Sequence, residues 1–293
     1  MQQLTYTNLA GESVTFGAAP PWILAHVDGT QSSDFARKTT KGAMQHGEQT
    51  ASLLRQDRKL TATVNLYTED AKAMYQQREA LCGILSVGKA FDPETGQRGR
   101  LVYTNDRGQW WTWAVPQGVP QWSKRIKAIL PSMKVHFDCD SPYWYAMDEQ
   151  QAGFEIAEKG FEFPMVFPHL RFSSRARETG MTNTGQVPAP MRIVIVGQGE
   201  SPTLLNRTTG KALRLSSPAQ AGALLKISTD PDDLYVLLEV EGTDINAFGL
   251  LDVATPLSDF VLDPGDNVIA YEAGGAAART EIQIYWYDRF EGV

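Results

Sequence analysis

The sequence predicts a mainly β protein in two parts, on three observations. Short runs of alternating apolar and polar residues, cut by Gly, Pro, Asp and Asn clusters, recur along most of the chain. A capped helical stripe stands out only after Tyr67. The charge also divides: residues 1–145 hold 16 Lys or Arg against 13 Asp or Glu, a net of +3, whereas residues 146–293 hold 11 against 21, a net of −10. A chain of 293 residues, 42% hydrophobic and 21% charged, is long and apolar enough for two cores of about 150 residues each. The expected division is therefore 1–145, an antiparallel β-rich domain with one helix near 69–85, and 146–293, a β-sandwich or jelly roll.

The first domain opens with Leu4, Tyr6 and Asn8 alternating with Thr5 and Thr7, and Ala10-Gly11-Glu12 turns the chain into Val14-Thr15-Phe16. Pro20-Pro21-Trp22 interrupts before Ile23–Val27 resumes an extended pattern. Residues 30–57 are polar with little periodicity and read as a loop or irregular arm, a length unusual in a compact domain unless it meets a partner. The clearest strand is Lys59–Tyr67, with Leu60, Ala62, Val64 and Leu66 on one face. Thr68-Glu69-Asp70 then caps a helix that carries Ala71, Met74, Tyr75 and Arg78 and runs to about Leu85.

After the turn Asp92-Pro93-Glu94-Thr95-Gly96, Arg100–Thr104 and Trp110–Val115 read as a hairpin. Ile126, Ala128 and Leu130 share one phase; beyond Pro131, Met133, Val135, Phe137 and Cys139 take another. Asp140-Ser141-Pro142-Tyr143-Trp144-Tyr145 marks the boundary. Downstream, Phe154, Ile156, Phe161 and Phe163 surround a turn at Lys159-Gly160. Strands are expected at Met191–Val196, Lys211–Leu215, Ala223–Ser228, Leu234–Val240 and Glu281–Tyr287, without the helices that parallel crossovers need.

Chemistry finds little purchase. Gly197-Gln198-Gly199 lacks the third glycine and the following helix of a dinucleotide site, and neither a phosphate-cradling Gly-Lys-Ser/Thr loop nor a Gly-x-Ser-x-Gly elbow is present. His136, Asp138 and Asp140 would share a strand face, which reads as a solvated face rather than a metal site. Asp230-Pro231-Asp232-Asp233 and Asp263-Pro264-Gly265-Asp266 suit turns as well as they suit calcium. Cys82 and Cys139 read as free thiols. No catalytic residue, cofactor or metal is therefore assigned. The acidic second half repels phosphates, which excludes a nucleic-acid reader there, and no apolar run of about 20 residues argues for a membrane anchor.

Val135-His136-Phe137-Asp138-Cys139-Asp140-Ser141-Pro142-Tyr143-Trp144, together with the Leu60–Tyr67 strand and its helix, resembles the first domain of phage distal tail proteins, within the siphophage tail-component family. Asn183-Thr184-Gly185, Pro188-Ala189-Pro190, Ile193-Val194-Ile195, Asn206-Arg207-Thr208-Thr209-Gly210 and Leu262-Asp263-Pro264-Gly265-Asp266-Asn267 are similar to turns and strands of the family's second domain. The resemblance implies a ring-forming first domain and an outer, galectin-like sandwich. Its implied partners are further copies in a homohexameric ring, the tail tube protein above and tail-tip hub or fibre proteins below, in a virion tail assembled in the host cytoplasm. Work of this kind is geometric and needs no catalysis.

Within that reading, the span Gln31–Asp57, with Gln31, Lys41 and His46, is the expected arm, and Trp110 and Trp111 are the expected aromatic interface. Tyr285 and Tyr287 are the weak candidates for a host-glycan platform, against the simpler account of a strand with Ile282, Ile284 and Trp286 inward and these two tyrosines outward. The alternatives are a carbohydrate-binding module, which would hold sugar as a monomer, and a tail-associated hub or hydrolase, which would show a convergent acidic cleft.

Overall fold

The computed structural model describes residues 1–118, 120–122, 131–156, 178–196, 200–215, 224–252, 256–274 and 280–293. They form two compact units, Met1–Met147 with Phe290–Val293, and Asp148–Arg289. The return of Phe290–Val293 to the first unit is a departure from the sequence reading, which kept everything after 145 together.

In the first unit the strands are β1 (Gln3–Thr7), β2 (Ser13–Phe16), β3 (Trp22–Asp28), β4 (Phe35–Thr40), β5 (Gln49–Arg55), β6 (Arg58–Leu66), β7 (Gly99–Asn105), β8 (Gly108–Pro116), β9 (Gln121–Trp122), β10 (Ser132–Cys139) and β11 (Trp144–Ala146). The main sheet runs β2-β1-β7-β8-β10-β6-β3, with β9 on β10 and β11 on β8. Its two outer strands meet where Gly17 donates to the Trp22 carbonyl at 3.0 Å and accepts from Leu24 at 2.7 Å, so the sheet curls back on itself. Alternation drives the curl: β6 turns Leu60, Ala62, Val64 and Leu66 inward, β10 does the same with Met133, Val135, Phe137 and Cys139, and the two strands pair antiparallel.

The helix α1 (Ala71–Ile84) starts where the Asp70 carboxylate accepts from the Ala73 amide at 2.7 Å, and it seals the core with Leu81. A second, four-residue helix, α2 (Val87–Ala90), follows, where the sequence suggested only one. The expected loop at 30–57 is instead the hairpin β4–β5, a separate two-stranded sheet. Ile126, Ala128 and Leu130 lie outside the described residues.

The second unit contains β12 (Gln150–Ile156), β13 (Glu178–Asn183), β14 (Ala189–Val196), β15 (Glu200–Asn206), β16 (Ala212–Arg214), β17 (Leu224–Ser228), β18 (Tyr235–Val240), β19 (Thr243–Asn246), β20 (Val261–Leu262), β21 (Gly265–Gly274) and β22 (Thr280–Trp286). One sheet runs β12-β22-β14-β17-β18-β19 with β20 on β14; the other runs β13-β21-β15-β16. Ile193, Ile195, Ile227, Val236, Ile282 and Ile284 from the first meet Met181, Leu204, Leu213, Ile269 and Tyr271 from the second in one core, making a sandwich. The turn at Lys159-Gly160, with Phe161 and Phe163, and Gly197-Gln198-Gly199 lie outside the described residues.

Candidate assembly surfaces

Arg58 continues the inward phase of β6 one step before Leu60 and is 1% exposed. A buried guanidinium needs acceptors in several directions, and here the backbone supplies them: Nη1 donates to the carbonyls of Gly29 and Gln31, and Nη2 to those of Pro142 (2.6 Å) and Glu291. The guanidinium also lies 5.3 Å from the ring centre of Trp144. Burial pulls its pKa down to about 10, and the neighbouring Cys139 thiol is pushed up to about 12 by the same desolvation.

The boundary motif completes this cage. Trp144 is fully buried and donates Nε1–H to the Thr30 carbonyl at 3.0 Å, and Ser141 Oγ lies 3.0 Å from the Tyr145 hydroxyl. Gly29 is required at the turn: it sits at φ +89, and a Cβ there would stand 2.1 Å from the Lys59 carbonyl oxygen.

The cage fixes the base of β4–β5. Arg55, whose guanidinium lies over the Phe35 ring at 4.6 Å, forms an ion pair with Glu291, and Gln56 N donates to Asp34 O at 2.9 Å. Beyond its base the hairpin is almost wholly exposed, carrying Phe35 (47%), Leu53 (55%) and Leu54 (66%). Cross-strand partners share a face, so Phe35, Arg37 and Leu53 lie on one side and Ala36, Lys38 and Leu54 on the other. Phe35–Arg55 holds Arg37, Lys38, Lys41 and Arg55 against Glu48, a net of +3. Lys41 and His46 are exposed in the connecting turn; Gln31, also exposed, precedes β4 and gives its backbone to the Arg58 cage. An isolated two-stranded ribbon is marginal in water, so apolar side chains on both faces call for cover.

The tryptophans divide differently from expectation. Trp111 is buried, stacks on Tyr145 at 4.8 Å, lies under Arg100 and donates to the Ala146 carbonyl at 2.8 Å, so its surface is committed within the chain. Trp110 is half-buried against Phe290. The tryptophan this strand presents to solvent is Trp113, 42% exposed. In the second unit Ile282, Ile284 and Trp286 point inward, while half-buried Tyr285 lies under Arg192 at 5.0 Å and donates to Gln283 Oε1. Tyr287 is half-buried as well, so the pair does not offer two open ring faces.

His136 Nδ1 lies 2.9 Å from Thr61 Oγ1, and Asp140 pairs with Arg98. Among the described residues no three His, Cys, Asp or Glu are grouped to hold a metal. The strongly displaced titratable groups, Tyr6, Arg58 and Cys139, sit inside the first core rather than converging on a cleft. These features define a two-unit β scaffold whose distinguishing surface is an uncovered, basic arm.

No protein-family model and no curated protein sequence matches the chain. Among solved structures, the fold is similar to that of the SPP1 Dit (gp 19.1) protein, described as a paradigm of the hub adsorption apparatus in phages infecting Gram-positive hosts. The TM-score is 0.63 at 11% identity, covering 98% of this chain and 99% of that one. It is also similar to a chain of the phage P2 baseplate in its activated conformation, with TM-scores of 0.52 (with Ca) and 0.51 (with Sr). Each is 14% identical and covers 97% of this chain and 98% of that one. The likeness runs end to end through both units.

Proposed function

We propose that this protein is a structural component of the distal end of a phage tail, forming a ring of copies that joins the tail tube to the tail-tip hub or adsorption apparatus. The observation that carries the reading is the end-to-end likeness to the SPP1 Dit protein, with 98% and 99% of the two chains aligned. Both units in the same order are a stronger warrant than a shared sandwich alone, which hosts many functions. The arm supports it: a ribbon with apolar and cationic side chains on both faces suits a surface closed by neighbours in a cyclic assembly. The role is geometric rather than enzymatic, in keeping with the burial of the perturbed titratable groups in a core.

In this role the first unit joins its copies, the tube lies above, the hub or fibres lie below, and the protein resides in the virion tail. Native mass spectrometry and negative-stain images of the purified protein test it. A six-membered ring is expected, formed alone or on addition of the tube protein. A chain that stays monomeric under both conditions overturns the reading. Limited proteolysis adds a check on the arm, because cleavage throughout Gln31–Asp57 with rings intact would exclude it from the contacts.

A further inference from the structure

The first unit carries a groove of mixed apolar and polar lining beside α1, and an uncovered arm beyond the far end of β3. The groove, about 430 Å³, opens between α1 and the turn from β2 to β3; Pro20, Pro21 and Ile84 are accessible in its walls, buried Trp22 and Leu81 lie behind them, and Gln3, Thr15 and Gln77 add polar lining. This volume lies in the range of about 300–1,000 Å³ that pockets with real occupants have. Strand β3 starts at the groove with Trp22 and ends seven residues later at Asp28, just before the loop that leads into β4. Seven extended residues span about 23 Å. Almost nothing in β4 or β5 is buried, so the arm does not fold back along its own unit.

At the tip of the arm stands Met44, fully exposed and held at φ 62, a conformation for which Gly or Asn would be the ordinary choice. The turn around it is fixed by Gly42 N donating to Gln45 Oε1 at 2.9 Å. The local backbone preference and the preference for apolar burial are thus both violated at one residue, which marks it for a contact outside its own unit.

We propose that Met44 of one copy seats in the groove of the next beside Pro20, Pro21 and Ile84, a deepening of the ring reading on which it rests. The unbranched thioether suits an irregular groove of this kind. Lys41 near Met44 brings positive charge, and exposed Glu79, next to groove-lining Ala80, supplies the opposite sign; Arg78 on the same helix is drawn away to stack 4.0 Å over Trp122. The 21 residues of Phe35–Arg55 match the roughly 20–30 residues per side of a standard stable interface. Because knob and groove are different patches of the unit, the contact is head-to-tail, the kind that generates a ring when its rotation closes.

The test places a photo-cross-linking residue at position 44 of the full chain, mixes isotopically light and heavy copies, irradiates, and maps the adducts by mass spectrometry. Mixed-isotope adducts to Pro20–Trp22 or to the stretch from Gln77 to Ile84 are expected. Met44→Asp and Ala80→Lys, both on exposed positions, are each expected to weaken ring formation about tenfold or more with unchanged circular dichroism, and Met44→Leu is expected to retain it. Rings that persist while adducts fall elsewhere on the neighbour, or while Met44→Asp assembles at the wild-type level, overturn this docking and leave the ring standing. Absence of both rings and inter-copy adducts, alone and with the tube protein added, overturns the ring reading and the docking together.

Discussion

Single residues in the first core carry costs that their neighbours explain. Tyr6 is fully buried with no partner for its hydroxyl, and its ring lies across Gly99, where an added Cβ would come within 2.3 Å of that oxygen. Gly99→Ala is therefore expected to destabilise by about 2 kcal/mol or more through overpacking, and Tyr6→Phe to leave stability unchanged or raise it by up to about 1 kcal/mol, both read from urea unfolding. Arg58 has the opposite balance. Arg58→Met strands four carbonyls that the guanidinium now satisfies, at a cost of about 3 kcal/mol or more in the same measurement. The Cys139 thiol stays protonated in the fold up to about 12, whereas an unfolded chain releases that proton above its ordinary 9.0. Stability from this residue is complete below pH 9 and is lost as pH rises toward 12. Urea midpoints should fall between pH 9 and 10 in the wild type and less so in Cys139→Val; the measurement belongs below about pH 10, where Arg58 begins to titrate in the fold and acts in the opposite direction.

At the scale of elements, what burial marks in the sequence was legible and what it does not mark was not. Strands β6 and β10 could be read because one face of each is core, which writes a period of two into the residues. The same period reaches Arg58, whose place in the inward phase was the available signal for the cage. It passed unread because a charged residue at a strand end looks like a solvated one. The hairpin β4–β5 left no such trace, since both its faces are exposed and neither requires apolar alternation. In the second unit β13 and β15 both end on asparagine, and those asparagines hold its turns. Asn206 is fully buried, donates to the Val261 carbonyl at 3.1 Å and accepts from the amides of Thr208 (3.0 Å) and Thr209 (3.2 Å). Asn183 spans to Val187 and Leu262, and Asn267 to Asp263 and Gly265. Asn206→Ala is expected to cost about 1–3 kcal/mol, and Asn206→Asp at least as much, because its buried carboxylate would face the Val261 carbonyl and Asn267 Oδ1; thermal unfolding followed by tryptophan fluorescence checks both.

For the molecule as a whole, the change from mixed to nearly all-β patterning after Trp144 was visible in the residues, but the return of Phe290–Val293 to the first unit was not. It depends on contacts far apart in sequence, for which local patterning has no sign. Phe290 packs on Trp110, Glu291 pairs with Arg55 and accepts from Arg58, and Val293 N donates to the Thr30 carbonyl at 3.2 Å. A chain stopped at Arg289 should therefore lose hydrogen-exchange protection in β6 and β10 while β14 and β22 keep theirs, so that the damage appears in the unit distant in sequence from the deletion.

That return also sets an order of events during synthesis. The bond from Arg58 to Glu291 closes across 233 positions. The first unit, although translated first, cannot finish its own interior until the ribosome has made the whole second unit and passed Glu291. The base of the arm is held by that same late contact, so the arm stays unanchored until then. Ribosome-bound chains halted at Arg289 should be cut by protease in the Arg58–Leu66 strand, and full-length released chains should resist. Resistance in the halted chains would show that the first unit matures without waiting.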